Sequence, residues 1–519
     1  MAIALAAAAC IGYPAVWLLI TVIVGVSRRA ADAHGPSWAL IARTLWVSGF
    51  VGAMATCLAV PVAWACRRLP RRAFLFLLLP MFLPSYLAYA GWGLLRAPNT
   101  PLGEFLLRGP PGATPGGNWY PVAASAIQAH LGLILWSWPI AALILAAAWR
   151  RFDESTLDAL RLEPIGRLGR GFQIASMSVA ALLGAFGAVA LVMLGSAVPL
   201  HVAQFDTLAI GVWRALDETS YKDHWTVWIR AWPLLVIAGA TGVWLLRRLR
   251  TDAHLEANPP RGIVILSPSS WVAAVIWTVS VLVPFGLLIA NLRSIRSLVT
   301  FVRVSVDPIR TSLEVAAAVA CLGAVLIGAT WIAAGARGLW RAVAGAGLLA
   351  FLVAGLSPGV LLGSAAAHAW NHPALAVVYD TPVIVVLCHL ARFGFLACMT
   401  GMSLARAEGG LRDMRSLDAG DSLRGWLVAA APPQLGVMAG MGVAMGLLSL
   451  HEIETTIMVQ PPSAAGGGLA WKLLQALHFN REDDLIPAMV FLVGTGLVIA
   501  TISVLLAGRG PKADRGASQ

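Results

Sequence analysis

The chain has 519 residues, of which 59% are hydrophobic and only 12% charged, a balance that excludes an ordinary soluble multidomain protein. Its 37 Lys and Arg against 25 Asp and Glu give a net charge of +12, which in a soluble chain would point to nucleic acid. Here the basic residues gather in short links between apolar runs, as at Arg67, Arg68, Arg71 and Arg72, where cytoplasmic loops of a membrane protein hold their positive charge.

Apolar runs of about 20 residues match the length needed to cross roughly 30 Å of hydrocarbon as helix. They are continuous rather than alternating, which favours helices over a transmembrane barrel. The first run, 3–27, contains Ala-Ala-Ala-Cys10, the look of a lipoprotein cleavage site, but no basic residue precedes it and the run continues to Val26, so an uncleaved first helix is expected. Further helices are expected at 42–66, 73–95, 121–149, 173–195 and 227–247. The polar link from Arg247 to Pro268, with Asn258-Pro259-Pro260, then separates a second set at 267–291, 311–335, 342–366, 381–404, 433–450 and 485–507. The expectation is an all-α membrane protein of about twelve transmembrane helices. Residues 1–250 form one six-helix unit, 251–266 a cytoplasmic linker, 267–507 a second unit and 508–519 a cytoplasmic tail. A cytoplasmic N-terminus places the larger share of Lys and Arg in inside links, although Arg28 and Arg29 fall on the other side.

The two sets are alike in detail. Arg43-Thr44-Leu45 opens the second helix of the first set and Arg310-Thr311-Ser312-Leu313 the second helix of the other. Each third helix carries prolines before a Gly-rich stretch, Pro80 and Pro84 in one, Pro358-Gly359 in the other. Six crossings return the chain to its starting side, so the copies are expected to be parallel, with a pathway at their interface.

Two cytoplasmic segments are longer and more charged than a link between membrane helices requires. The first runs from Arg150 through Asp158-Ala159-Leu160 to Gly171, and the second from Arg412 through Leu417-Asp418-Ala419-Gly420 to Pro433. Each has the shape of a short amphipathic helix, a turn at glycine and a return to the membrane, suited to docking in a groove on a partner.

In these features the sequence resembles the fused two-repeat permease subunits of ATP-binding-cassette importers, especially the iron(III) type. That family's mark is a cytoplasmic loop with an acidic-Ala-Ala start, a glycine a few residues on and a proline about thirteen residues after it. Gly420 and Pro433 fit, with Met414-Arg415-Ser416 in place of the triplet; Asp158-Ala159-Leu160 matches the triplet in part, with Pro164 and Met177 in the glycine and proline places. Ser449-Leu450-His451-Glu452, then Pro461-Pro462, is similar to a Ser-Leu-x-Glu stretch of the iron(III) type, and Asp206-Thr207-Leu208-Ala209 to its Thr-Leu element in the other half. The resemblance implies a type I importer permease fold whose two loops couple to a cytoplasmic ATPase dimer, served by an external substrate-binding protein. It implies iron(III) as substrate first, with thiamine, phosphonate or polyamine as alternatives.

No GxxxxGK[ST] or HExxH occurs, and no metal site is expected among the ten histidines, so neither nucleotide binding nor an intramembrane enzyme is expected, and no cofactor. The six cysteines lack a CxxC pair and read as packing residues. Arg392 and His389 should face the bundle interior, since a central arginine costs at least roughly 2.5–3.5 kcal/mol against lipid. Glu314, one turn after Arg310, reads as a helix-end ion pair. Asp206, Glu452 and Glu454 are expected near the external mouth, where acidic oxygens suit a hard cation or seat a binding protein. Among 21 tryptophans, Trp38, Trp46, Trp119 and Trp225 fall at predicted membrane boundaries. The competing class is a self-sufficient secondary transporter, disfavoured because predicted helix centres hold almost no Asp or Glu. A scaffold without transport has no feature in its favour.

Overall fold

The computed structural model describes residues 1–29, 37–66, 79–97, 100–108, 119–150, 154–196, 198–219, 223–251, 268–407, 423–461, 468–479 and 481–507. Every regular element among them is helical, the one open arrangement that satisfies each backbone group within its own segment in hydrocarbon. Among the described residues nine helices are long and apolar enough to cross a membrane, or eleven if two bent pairs each make one span. The protein is an all-α, multi-pass membrane protein.

The N-terminal set begins with α1 (Ala2–Ser27) and α2 (Trp38–Cys66). After the short α3 (Leu87–Gly93) and α4 (Pro101–Arg108) come α5 (Trp119–Trp149), α6 (Glu154–Leu162) and α7 (Arg167–Met177). The chain bends by 70° at Ser178 into α8 (Val179–Leu194). Two short helices, α9 (Val198–Val202) and α10 (Leu208–Glu218), precede α11 (His224–Arg230) and α12 (Trp232–Thr251), which meet at 52°. The C-terminal set holds α13 (Pro268–Ala290), α14 (Ile295–Val304), α15 (Val306–Gly335), α16 (Leu339–Leu356), α17 (Gly359–Trp370) and α18 (Val383–Ala407). It ends with α19 (Ala431–His451), α20 (Glu454–Met458), α21 (Leu469–His478) and α22 (Glu482–Ala507).

The run expected as one helix over 73–95 is broken among its described residues. A 3₁₀ turn at Leu79–Phe82 is followed by non-helical backbone before α3. Pro80 and Pro84 bring no N–H and crowd the preceding turn, and two of them four residues apart favour a break here. The run expected over 342–366 is likewise split at Ser357-Pro358 between α16 and α17. Residues expected as a plain link carry α14, whose start is capped by the Ser294 hydroxyl accepting from the Ser297 amide at 3.2 Å.

Apolar side chains point both ways. Val51, Leu133, Trp138, Leu348 and Phe351 are sealed inside, whereas Leu19, Ile23, Val272, Val275, Val498 and Ile502 stay exposed, an arrangement that suits a hydrocarbon surround and not water. Trp38 and Trp46 are exposed as interfacial anchors require, but Trp225 is buried, its ring against Gly25. Four of the cysteines, Cys10, Cys66, Cys388 and Cys398, are buried packing residues. Arg310 Nε meets Glu314 Oε1 at 2.8 Å on exposed helix surface, as the spacing predicts.

Each set lends its first helix to the other. Tyr13 of α1 donates its hydroxyl proton to the Ala369 carbonyl of α17 at 2.7 Å. Conversely, Trp138 Nε1 of α5 donates to Ser280 Oγ of α13 at 2.9 Å. A Cβ added at Gly91 of α3 would lie 2.5 Å from Pro284 Cβ, so only glycine allows that crossing. Two further contacts match across the sets. The Leu208 amide at the start of α10 donates to Thr44 Oγ1 of α2 at 2.7 Å. The Leu469 amide at the start of α21 donates to Ser312 Oγ of α15 at 2.9 Å. Both hydroxyls satisfy one of the orphan amides that a helix start leaves.

Candidate functional site

Among the described residues a cluster of largely buried charge lies in the C-terminal set, beside Val198 of the N-terminal set. Arg392 follows Val383 by nine residues in α18, about 14 Å along the helix at 1.5 Å per residue. The Ser357-Pro358 break leaves the Ser357 carbonyl without a helical partner, and Arg392 Nη1 donates to it. The other guanidinium nitrogens face two carboxylates: Nε lies 3.9 Å from Glu452 Oε2 and Nη2 3.6 Å from Glu454 Oε2. The side chains are only 13% exposed for the arginine and 11% for each glutamate.

The local chain explains why the glutamates point there. Helix α19 ends at His451, and Glu452 Oε1 accepts from the Thr455 amide at 3.1 Å, capping the short α20. The Thr456 hydroxyl donates to the Glu452 carbonyl at 2.6 Å. Glu454 Oε1 accepts from the Val198 amide at 3.4 Å, so a backbone donor of the N-terminal set meets a carboxylate of the C-terminal set. Glycines make the approach possible. A Cβ at Gly359 would stand 2.8 Å from Glu454 Cβ, 3.0 Å from Glu454 Oε2 and 3.2 Å from Glu452 Oε1, and one at Gly195 would stand 3.1 Å from Pro358 Cα.

Below this cluster His389, one turn before Arg392, is fully enclosed. Its Nδ1 lies 2.6 Å from Ser449 Oγ and its Nε2 3.0 Å from Thr456 Oγ1. A neutral ring gives one donor and one acceptor, and two hydroxyls can answer both. Tyr86 enters from the N-terminal set, 2% exposed and within electrostatic reach of Glu452. Its hydroxyl has no hydrogen-bond partner among the described residues.

The sequence expects Arg392 in the bundle interior and Glu452 and Glu454 near the external mouth; in the structure the three side chains face one another. Asp206 does not join them. Its Oδ1 pairs with Arg214 Nη2 at 2.8 Å in a half-exposed position. It lines a separate cavity of about 450 Å³ with His201, Gln204, Phe205 and His478. There His201 and His478 stack with ring centroids 6.0 Å apart and planes 9° apart. Burial pushes the His201 imidazole down from its ordinary value, with further lowering from His478 and Arg214 and an opposing pull from Asp206.

Of the loop residues, Asp158, Ala159 and Leu160 lie on α6, with Asp158 and Ala159 exposed. The turn after it ends at Gly166, the N-cap of α7. Leu162 and Phe172 are 88% and 77% exposed on these two helices. Leu417, Asp418, Ala419 and Gly420 lie outside the described residues. Pro433 lies at the third residue of α19, directly after a π-helical turn at Trp426–Ala430. Aromatic pairs stand at both return points: Trp64 with Trp149 at 5.7 Å and 75°, Trp331 with Trp426 at 4.9 Å and 74°.

Sequence reasoning missed Tyr86, the Ser357 carbonyl, Gly195 and the Val198 amide. Only the proline breaks signalled that backbone groups would be freed at those places. Among the described residues no group of three or more His, Cys, Asp or Glu is arranged to hold a metal. No known family, curated protein or solved structure matches the chain.

Proposed function

We propose that this chain is the transmembrane permease subunit of an ATP-binding-cassette importer in a cell inner membrane, with cytoplasmic termini and twelve crossings in two parallel six-helix repeats. The carrying observation is the pair of matched contacts, Thr44 to the Leu208 amide and Ser312 to the Leu469 amide. They join corresponding helices of the two sets at corresponding places, which duplicated units would do and unrelated helices would not. The exchange of α1 and α13 between the sets supports the same reading.

In this reading α6 and α7 form the first coupling loop. Their exposed Leu162 and Phe172 seat in an ATPase subunit, and nucleotide-driven closure of an ATPase dimer is passed through the 70° bend at Ser178 into α8. The Arg392, Glu452 and Glu454 contacts close the path between the repeats, and parting the sets breaks the Glu454 link to Val198. An external binding protein delivers the substrate, iron(III) first, with thiamine, phosphonate or polyamine as alternatives. Co-purification tests the loop: the chain carries an ATPase partner, and Asp158→Lys strips it, whereas full retention of the partner rejects the assignment.

A second reading is a secondary, ion-coupled transporter. The buried carboxylates favour it, because such a carrier needs ionisable groups within the membrane. Transport by the chain alone, driven by an ion gradient, would decide for it.

A further inference from the structure

Near its start the C-terminal set carries more positive charge than it pairs. Residues 293–314, which span α14 and the first turns of α15, hold four arginines against two carboxylates. Arg293 pairs with Asp483 of α22 at 2.9 Å and Arg310 with Glu314 at 2.8 Å, while Asp307 acts on Arg310. Arg296 and Arg303 are exposed, and neither has an ion-pair partner among the described residues. Seven residues apart, they share one side of α14, beside an outward arc of Ile295, Val299 and Val302. Ile295 is 78% exposed. The side away from the arginines is used inside the protein, where Phe301 is buried against Phe491 of α22 with ring centroids 6.3 Å apart. Lys472 of α21 adds a further cation at the junction of α14 and α15, donating to Ser305 Oγ at 2.7 Å.

At that junction lies an apolar cavity of about 430 Å³, lined by Val302, Val306, Ile309, Leu313 and the Arg310–Glu314 pair. It opens outward, with Val306 52% exposed. Its depth follows from α15. No charge interrupts that helix from Val315 to Gly335, about 30 Å at 1.5 Å per residue, which is the thickness of the hydrocarbon. The cavity therefore lies where hydrocarbon meets head groups.

We propose that this groove binds an anionic phospholipid, with an acyl chain along Val306, Ile309 and Leu313 and the phosphate facing Arg296 and Arg303. A zwitterionic lipid offers the same chain but cancels its phosphate with its own cation, so the unpaired arginines select a net negative head group. An amphipathic helix with basic residues at the edge of its apolar arc is suited to lie in the membrane interface. A peptide laid in the groove would press unsatisfied backbone groups against apolar walls, which disfavours a protein occupant. The inference rests on the multi-pass membrane fold and not on the permease reading.

Native mass spectrometry of the full chain, released from detergent micelles holding phosphatidylglycerol and phosphatidylcholine of equal chain length, tests it. One tightly held phosphatidylglycerol is expected. Arg296→Gln or Arg303→Gln weakens it about fivefold and the two together about thirtyfold, with phosphatidylcholine retention unchanged. Ala317→Phe, which narrows the cavity, lowers retention of both lipids. Equal retention of the two lipids by helical, monodisperse wild-type protein overturns the proposal, as does a phosphatidylglycerol preference that survives the Arg296→Gln/Arg303→Gln double variant. A lipid-free dimer also overturns it, by placing a second copy on this face.

Discussion

Replacing Arg392 by glutamine should destabilise the protein far more than replacing the glutamate beside it. At an effective dielectric near 20, unit charges 3.6 and 3.9 Å apart attract by about 4–5 kcal/mol each before desolvation is subtracted. Removing the arginine leaves two carboxylates facing each other with little water and strands the Ser357 carbonyl. Breaking a buried charge set by removing one partner costs about 3–5 kcal/mol. Glu454→Gln leaves Glu452 facing the guanidinium, and its amide oxygen can still accept from the Val198 amide. That variant should lie within about 1 kcal/mol of wild type, and the double variant Arg392→Gln/Glu454→Gln should recover part of the loss. Equilibrium unfolding of the purified protein in mixed micelles measures all three. An Arg392→Gln protein as stable as wild type, or a Glu454→Gln protein less stable than Arg392→Gln, would refute the charge accounting.

Two other perturbations read out separate parts of the fold. Thr44→Ala and Ser312→Ala each remove the hydroxyl that satisfies the first amide of a short helix, at Leu208 and Leu469. Each should cost about 0.5–2 kcal/mol in unfolding free energy and speed hydrogen exchange at its own helix start, with effects of similar size in the two sets. At the His201 and His478 cavity the sign follows from the lowered His201 value. Between that value and the ordinary 6.5 the unfolded chain binds more protons than the folded one, so stability there is full above pH 6.5 and falls as the medium becomes more acidic. Trp213 stacks on His201 with centroids 4.8 Å apart. The fluorescence difference between wild type and His201→Gln should therefore titrate below pH 6.5, and a flat difference would contradict the burial argument.

Much of this architecture was legible because lipid makes simple demands on a sequence. Apolar length placed most helices within a few residues, α2, α5, α15, α18, α19 and α22 among them. The cost of a charge in hydrocarbon correctly turned Arg392 inward. What the pattern could not supply was the partner. Glu452 and Glu454 follow the end of α19, and nothing in their spacing tells that the Pro358 break frees a carbonyl for the same guanidinium. Tyr86 was invisible for the same reason, since a tyrosine in an apolar run reads as packing until the opposite helices are in place. For Asp206 the loop position was weighed and the neighbouring arginine was not. Arg214, eight residues on and about two turns into α10, competes successfully for it. The helix drawn over 73–95 failed because hydropathy counts Pro80 and Pro84 as apolar, while the backbone treats them as missing donors.

The proposal that energy comes from a separate subunit is tested most directly by reconstitution. The purified chain, alone or with its co-purified ATPase and binding protein, is placed in liposomes and uptake of iron(III) or the alternative substrates is followed. The account predicts no uptake by the chain alone under any ion gradient and ATP-dependent uptake by the complex. Uptake by the chain alone, driven by a proton or sodium gradient, would contradict it.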